Sequence, residues 1–217
     1  MFYNQYGNNI DNYYRALQTA QQMNSHIRVL HASPNSPAVD VYANGNLLIS
    51  DLAYMEISPY LPVASANYTI TVFPSGETAN PVIDTEVFIP ENTIFNLAAV
   101  GELPDVSLFP IPEPATVPTS GRACVRFVHL SPNAPAVDIT LADGSEVFTD
   151  IEYLEATDYV CVPSQTYTFQ VTPTGSDDIV LTIPNVQLSS NNVYTIYAVG
   201  LVGETPTLEA LLVTEPR

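Results

Sequence analysis

With 217 residues, 46% of them apolar, the chain is long enough for one large or two ordinary globular domains and too hydrophobic to be disordered. Its 23 Asp and Glu face 5 Arg and no Lys, a net charge of −18, which excludes nucleic acid and anionic lipid as partners because both are held by cations on phosphate. The missing Lys also removes Schiff-base catalysis, a Walker phosphate loop and Lys–Asn isopeptide cross-links. No apolar run approaches the roughly 20 residues of a transmembrane helix.

The N-terminal segment "MFYNQYGNNIDNYYRALQ" lacks the basic n-region and apolar h-region of a secretory signal. Ile10, Tyr13, Tyr14 and Leu17 fall at i, i+3, i+4 and i+7, one face of a short helix. A helix that short needs a partner to persist. Residues 1–25 are therefore read as an arm, either a tail or a docking element.

From residue 26 onward the chain repeats itself. "IRVLHASPNSPAVDV" (27–41) returns as "VRFVHLSPNAPAVDI" (125–139). With one inserted residue, Asn44-Gly45 meets Asp143-Gly144, and Asp51 meets Asp150. Tyr54, Tyr60 and Tyr68 meet Tyr153, Tyr159 and Tyr167, and "AVG" at 99–101 meets "AVG" at 198–200. A period near a hundred residues is a whole domain, not a solenoid unit. Within each copy, "YTITVFP" and "YTFQVTP" alternate as half-buried strands do, and the Asn-Gly and Asp-Gly pairs mark hairpins. About seven short strands per copy predict an all-β chain of two tandem antiparallel β-sandwiches. The divisions expected are an arm (1–25), repeat 1 (26–112), a Pro-rich linker (113–122) and repeat 2 (123–217), the linker acting as a semi-extended spacer.

The strings "SPNSPAVDV" and "SPNAPAVDI" resemble the bacterial domain of unknown function numbered 4397, with its His-x-Ser-Pro-(Asp/Asn)-x-Pro-x-Val-Asp-Val signature. The resemblance covers both repeats and leaves out the arm. It implies immunoglobulin-like sandwiches, often exported or envelope-associated, and supplies no catalytic residues.

His31, Ser33 and Asp40, with His129, Ser131 and Asp138, invite a hydrolase reading. A nucleophilic Ser needs a base within reach and oxyanion donors. Ser33 and Ser131 instead precede Pro34 and Pro132, and no Gly-x-Ser-x-Gly elbow occurs. Proline restricts the residue before it and offers no amide. The string is better read as a structural turn: Asn35 and Asn133 bond a nearby amide, Pro37 and Pro135 feed the next strand, and the His bonds within the connection. Three His are too few for a zinc site, and calcium has no motif, so no cofactor is expected. Cys124 and Cys161 are the candidate disulfide. The repeated tyrosines are read as core or turn anchors rather than a sugar platform.

The expectation is a non-enzymatic structural protein of a bacterial surface (filament, envelope layer or spore coat). It would associate with copies of itself through the arm and through sheet edges that no Lys blocks. An extracellular glycan- or ligand-binding module is the alternative function, and the cytoplasm the alternative location.

Overall fold

The computed structural model describes residues 24–215, which contain sixteen strands and no helix. The arm residues Ile10, Tyr13, Tyr14 and Leu17 lie outside them. Among the described residues no helix is long and apolar enough to cross a membrane.

The first repeat runs β1 (Ser25–His31), β2 (Val39–Ala43), β3 (Asn46–Leu52), β4 (Leu61–Val63), β5 (Ala66–Pro74), β6 (Ile83–Ile89), β7 (Ile94–Val100) and β8 (Ser107–Pro112). Two four-stranded sheets, β4-β1-β7-β8 and β3-β2-β5-β6, face each other as a sandwich. Alternation builds its core: Val39 and Val41 of β2 and Ile70 and Val72 of β5 meet Ile27 and Val29 of β1 and Leu97 and Ala99 of β7. The second repeat gives β9 (Arg122–His129), β10 (Val137–Leu141), β11 (Glu146–Ile151), β12 (Val160–Pro163), β13 (Gln165–Pro173), β14 (Leu181–Leu188), β15 (Val193–Val199) and β16 (Glu209–Glu215). It folds the same way, with sheets β12-β9-β15-β16 and β11-β10-β13-β14. One pairing in each sandwich departs from the antiparallel expectation: β1 runs parallel to β7, and β9 to β15.

The inserted residue of repeat 2 sits in a hairpin. Asn44 (φ 50°) and Gly45 (φ 75°) make a two-residue loop between β2 and β3. In the second copy Leu141 and Ser145 close a three-residue loop with Gly144 at φ 83°. The extra residue is absorbed without shifting either strand's inward set.

The strands β1, β7, β9 and β15 are buried along nearly their whole length because both their faces are covered. One face fills its own sandwich. The other forms a third core between the repeats, from Leu30, Ala98, Val100 and Ile111 of the first and Val128, Leu130, Tyr197 and Val199 of the second. The sandwiches are thus stacked sheet on sheet, four layers deep, and the Pro-rich stretch does not hold them apart. Its residues 110–112 belong to β8, and Arg122 opens β9, so the crossing itself is 113–121.

Cys124 and Cys161 face each other across β9 and β12 and are joined as a disulfide. Repeat 1 has no counterpart, since the matching cross-strand pair is His26 with Pro62.

A proteolytic nick within 113–121 should leave the two halves associated, because the shared core does not depend on the crossing. Gel filtration of the nicked protein under native conditions should show one species of unchanged size, which denaturant separates into two fragments.

Candidate functional site

His31 ends β1 fully buried, and both its ring nitrogens are engaged. The Ser33 amide donates to Nδ1 at 3.4 Å, so the proton is on Nε2, which donates to the Pro37 carbonyl at 2.9 Å. Burial pushes the His31 pKa below its usual value, the Pro37 bond opposing only in part, and the ring stays neutral. Ser33 Oγ donates to the Gly101 carbonyl at 2.5 Å and accepts from Ser36 Oγ at 2.7 Å. Asp40 points elsewhere, accepting the Asp51 amide at 2.8 Å and the Gly76 amide at 2.9 Å. Those two amides lower its pKa.

The second copy repeats the arrangement. His129 Nδ1 accepts the Ser131 amide at 3.3 Å, and Nε2 donates to the Pro135 carbonyl at 3.1 Å. Ser131 Oγ donates to the Gly200 carbonyl at 2.7 Å. Asp138 accepts the Asp150 amide at 2.7 Å and Thr174 Oγ1 at 3.0 Å. In neither copy does a free imidazole nitrogen face a hydroxyl, so the groups that would make a nucleophile and base are tied to backbone instead. The His bonds within the connection as read from the sequence, but to the carbonyl of Pro37 or Pro135 and not to the Asp. Asn133 differs too: its Oδ1 accepts the Val202 amide at 2.8 Å, a partner 69 residues on. Asn35 takes the left-handed turn position at φ 61°. Pro34 and Pro37, with Pro132 and Pro135, bracket the links from β1 to β2 and from β9 to β10.

Other repeated letters serve the same loops. Gly101 (φ 86°) and Gly200 (φ 88°) end the two "AVG" strings, where a Cβ would overlap the carbonyls of Asp105 and Thr207. Asp51 and Asp150, both at φ 55°, sit at register shifts in their hairpins, which the Asp40 and Asp138 carboxylates pin. Tyr54 and Tyr153 meet the His rings edge-on at 6.0 and 6.1 Å. Tyr68 and Tyr167 donate to carbonyls four residues upstream, at Ala64 (3.0 Å) and Pro163 (2.8 Å).

The remaining tyrosines lead to a network that the sequence reading did not assemble. Arg28 of β1 crosses to the other repeat and forks onto Glu215, with Nη2 at 2.8 and 2.6 Å from its two oxygens. Arg126 of β9 crosses the opposite way to Glu113 at 2.5 Å. Each guanidinium lies over a tyrosine ring, Tyr60 at 4.5 Å and Tyr159 at 4.9 Å. Asn96 accepts from Arg28 Nε at 2.6 Å and donates to Tyr197 Oη at 2.8 Å, while Thr195 stands in its place beside Arg126. Burial opposes the Arg28 charge, yet Glu215, Tyr197 and Tyr60 together raise its pKa. Burial raises the Glu113 pKa, and Arg126 opposes that only in part. A signal was available: two of only five Arg stand at equivalent places, 28 and 126, in both copies.

A family model for a domain of unknown function, DUF4397, matches residues 25–140 and 140–217. The chain belongs to the DUF4397 family. The junction at 140 falls inside β10, so the first match takes in one DUF4397 sandwich and the first strands of the next. No curated protein matches. Solved structures with some likeness to this DUF4397 pair include CBMbc (family CBM26) of Eubacterium rectale Amy13K, in complex with maltoheptaose. It is 12% identical, with 89% of this chain and 97% of that one covered and a TM-score of 0.28. Others are the Bacillus anthracis TIE protein (11%, 85% and 34%, TM-score 0.26) and a candidate cell adhesion protein from Bacteroides ovatus (8%, 88% and 96%, TM-score 0.28). Superpositions this loose carry no argument about function. Among the described residues of the DUF4397 chain, no group of three or more His, Cys, Asp or Glu is placed to hold a metal.

Arg28→Met leaves Glu215 buried without a countercharge and should cost about 3–5 kcal/mol, whereas Arg28→Met with Glu215→Leu should recover most of it. Urea unfolding of the two variants checks this. For pH, the sign follows from the lowered folded-state pKa values of His31 and His129. Their contribution is complete above the ordinary 6.5 and is lost as pH falls through the folded values. Glu113, raised above 4.5, acts oppositely, gaining as pH falls. Stability by urea unfolding should therefore drop from pH 7 to pH 5, and drop more steeply in Glu113→Gln.

Proposed function

We propose that this chain is a non-enzymatic structural protein of a bacterial surface, an envelope layer, filament or spore coat, that self-associates through its N-terminal arm and its open sheet edges. The observation that carries the reading is where the conspicuous polar residues direct their hydrogen bonds. Both copies of the His, Ser and Asp set close on the protein's own backbone, and the two ion pairs close on Glu215 of the second repeat and Glu113 of the crossing. Among the described residues a single buried side-chain polar atom, Tyr54 Oη, lacks a partner. What remains for outside contact is surface shape: a four-layer body and its strand edges.

Those edges fall into two groups. β4, β8, β12 and β14 each contain proline, which withholds an amide from an incoming strand. β3, β6, β11 and β16 contain none, and β3 and β6 also expose Leu47 and Phe88. With no Lys in the chain, the commonest charged guard of an open edge is missing. The disulfide suits an oxidising location outside the cytoplasm.

β1 begins at Ser25, so residues 1–23 can be deleted without touching a sheet. Sedimentation velocity should show the full chain associating with rising concentration and the deleted chain remaining a monomer. Tyr13→Asp with Leu17→Asp should behave like the deletion. A full-length chain that stays monomeric at every concentration would end this reading.

A further inference from the structure

Two clefts flank the crossing between the repeats. One, of about 290 Å³, is walled by Ile94, Pro114, Ala115, Val117 and Val193, with Glu113 and Glu215 at its margin. The other, of about 490 Å³, shares Pro114 and Ala115 of the crossing with the first and is lined further by Phe95 of the first half and Ala156, Thr157 and Asp158 of the second. Val117, at the first cleft, is 84% exposed. An apolar cleft on a body otherwise closed on itself is a place for an apolar segment, and since Glu113 and Glu215 are already paired with Arg126 and Arg28, the exposed Asp158 of the second cleft is the carboxylate left for a cation.

The chain supplies such a segment, and its point of departure is fixed. Asn24 Oδ1 accepts the Asn92 amide at 3.4 Å, and Asn92 lines both clefts. Residues 1–23 therefore leave the body at the cleft lip. Ile10 to Leu17 would span about 10 Å as a helix, and the seven residues to Asn24 reach at most about 25 Å. Asp11 and Arg15 cancel, so the whole −18 belongs to the rest of the chain, and the neutral arm approaches the exposed Asp158 unopposed.

We propose that the arm of one copy seats Ile10, Tyr13, Tyr14 and Leu17 in the linker clefts of a neighbouring copy, with Arg15 against Asp158. This rests on the arm-driven association argued above and names its acceptor. Arm and cleft are different surfaces, so the contact is head-to-tail and propagates unless a ring closes it.

The test uses full-length chains carrying single added thiols, the native cysteines being paired. Leu17→Cys and Val117→Cys chains, mixed and mildly oxidised, should give a covalent dimer on a non-reducing gel well above either chain alone. Val117→Asp, at a site too exposed to disturb the core, should weaken association at least tenfold in sedimentation. Arm-dependent association that persists with no cross-link and no effect of Val117→Asp would overturn the cleft assignment and leave the assembly reading standing. A doubly substituted chain that links only to itself would place the arm in its own cleft and overturn the proposal. A wild-type chain that never associates would remove both.

Discussion

Two buried ion pairs, Arg28 with Glu215 and Arg126 with Glu113, hold the molecule's halves in one relation to each other. A charge taken out of water must find a countercharge at contact distance or it costs several kcal/mol. Arg28 finds its countercharge in the other repeat, and Arg126 finds its own at the first residue of the crossing. The third core between the sheets is apolar and by itself indifferent to small slides or rotations. The ion pairs are directional, and a slide that parted either would leave a buried charge without its partner. Tyr60 and Tyr159 complete them, each with its ring beneath a guanidinium and its hydroxyl on a carboxylate.

From that constraint follows the burial of the inner strands. β1 and β7 can be apolar on both faces only because β9 and β15 cover the second face. The loops that end β1 and β9 must then satisfy their polar groups in a place water does not reach. The His-Ser-Pro-Asn-x-Pro string does this: one imidazole bonds an amide and a carbonyl, one hydroxyl caps the carbonyl of Gly101 or Gly200, and the Asp pins the neighbouring hairpin. The same letters recur in both copies because both loops abut the same kind of dry interface, at equivalent places on the stack.

The copies are not interchangeable. A disulfide links β9 to β12 where the first repeat has His26 and Pro62, and Asn96 becomes Thr195. The crossing segment, which has one occurrence in the chain, lines both clefts through Glu113, Pro114 and Ala115.

Sequence alone determined the all-β class, the duplication and its period, the hairpin positions and the structural character of the repeated string. Each of these is encoded locally: alternation marks a half-buried strand, Asn-Gly a two-residue loop, and a Ser fixed before Pro makes a poor nucleophile. The spacer was misread as separating the sandwiches, and the parallel pairing of β1 with β7 was not foreseen. The partners of Arg28, Arg126 and Asn133 were not legible either, because each lies across a domain or at the far end of one, and no short-range pattern records it. Tyr60 and Tyr159 could be ranked as anchors but not joined to their arginines. Only tertiary structure decided that the sandwiches share a core, since an apolar outer face reads the same whether it meets its own sheet, another domain or a second copy.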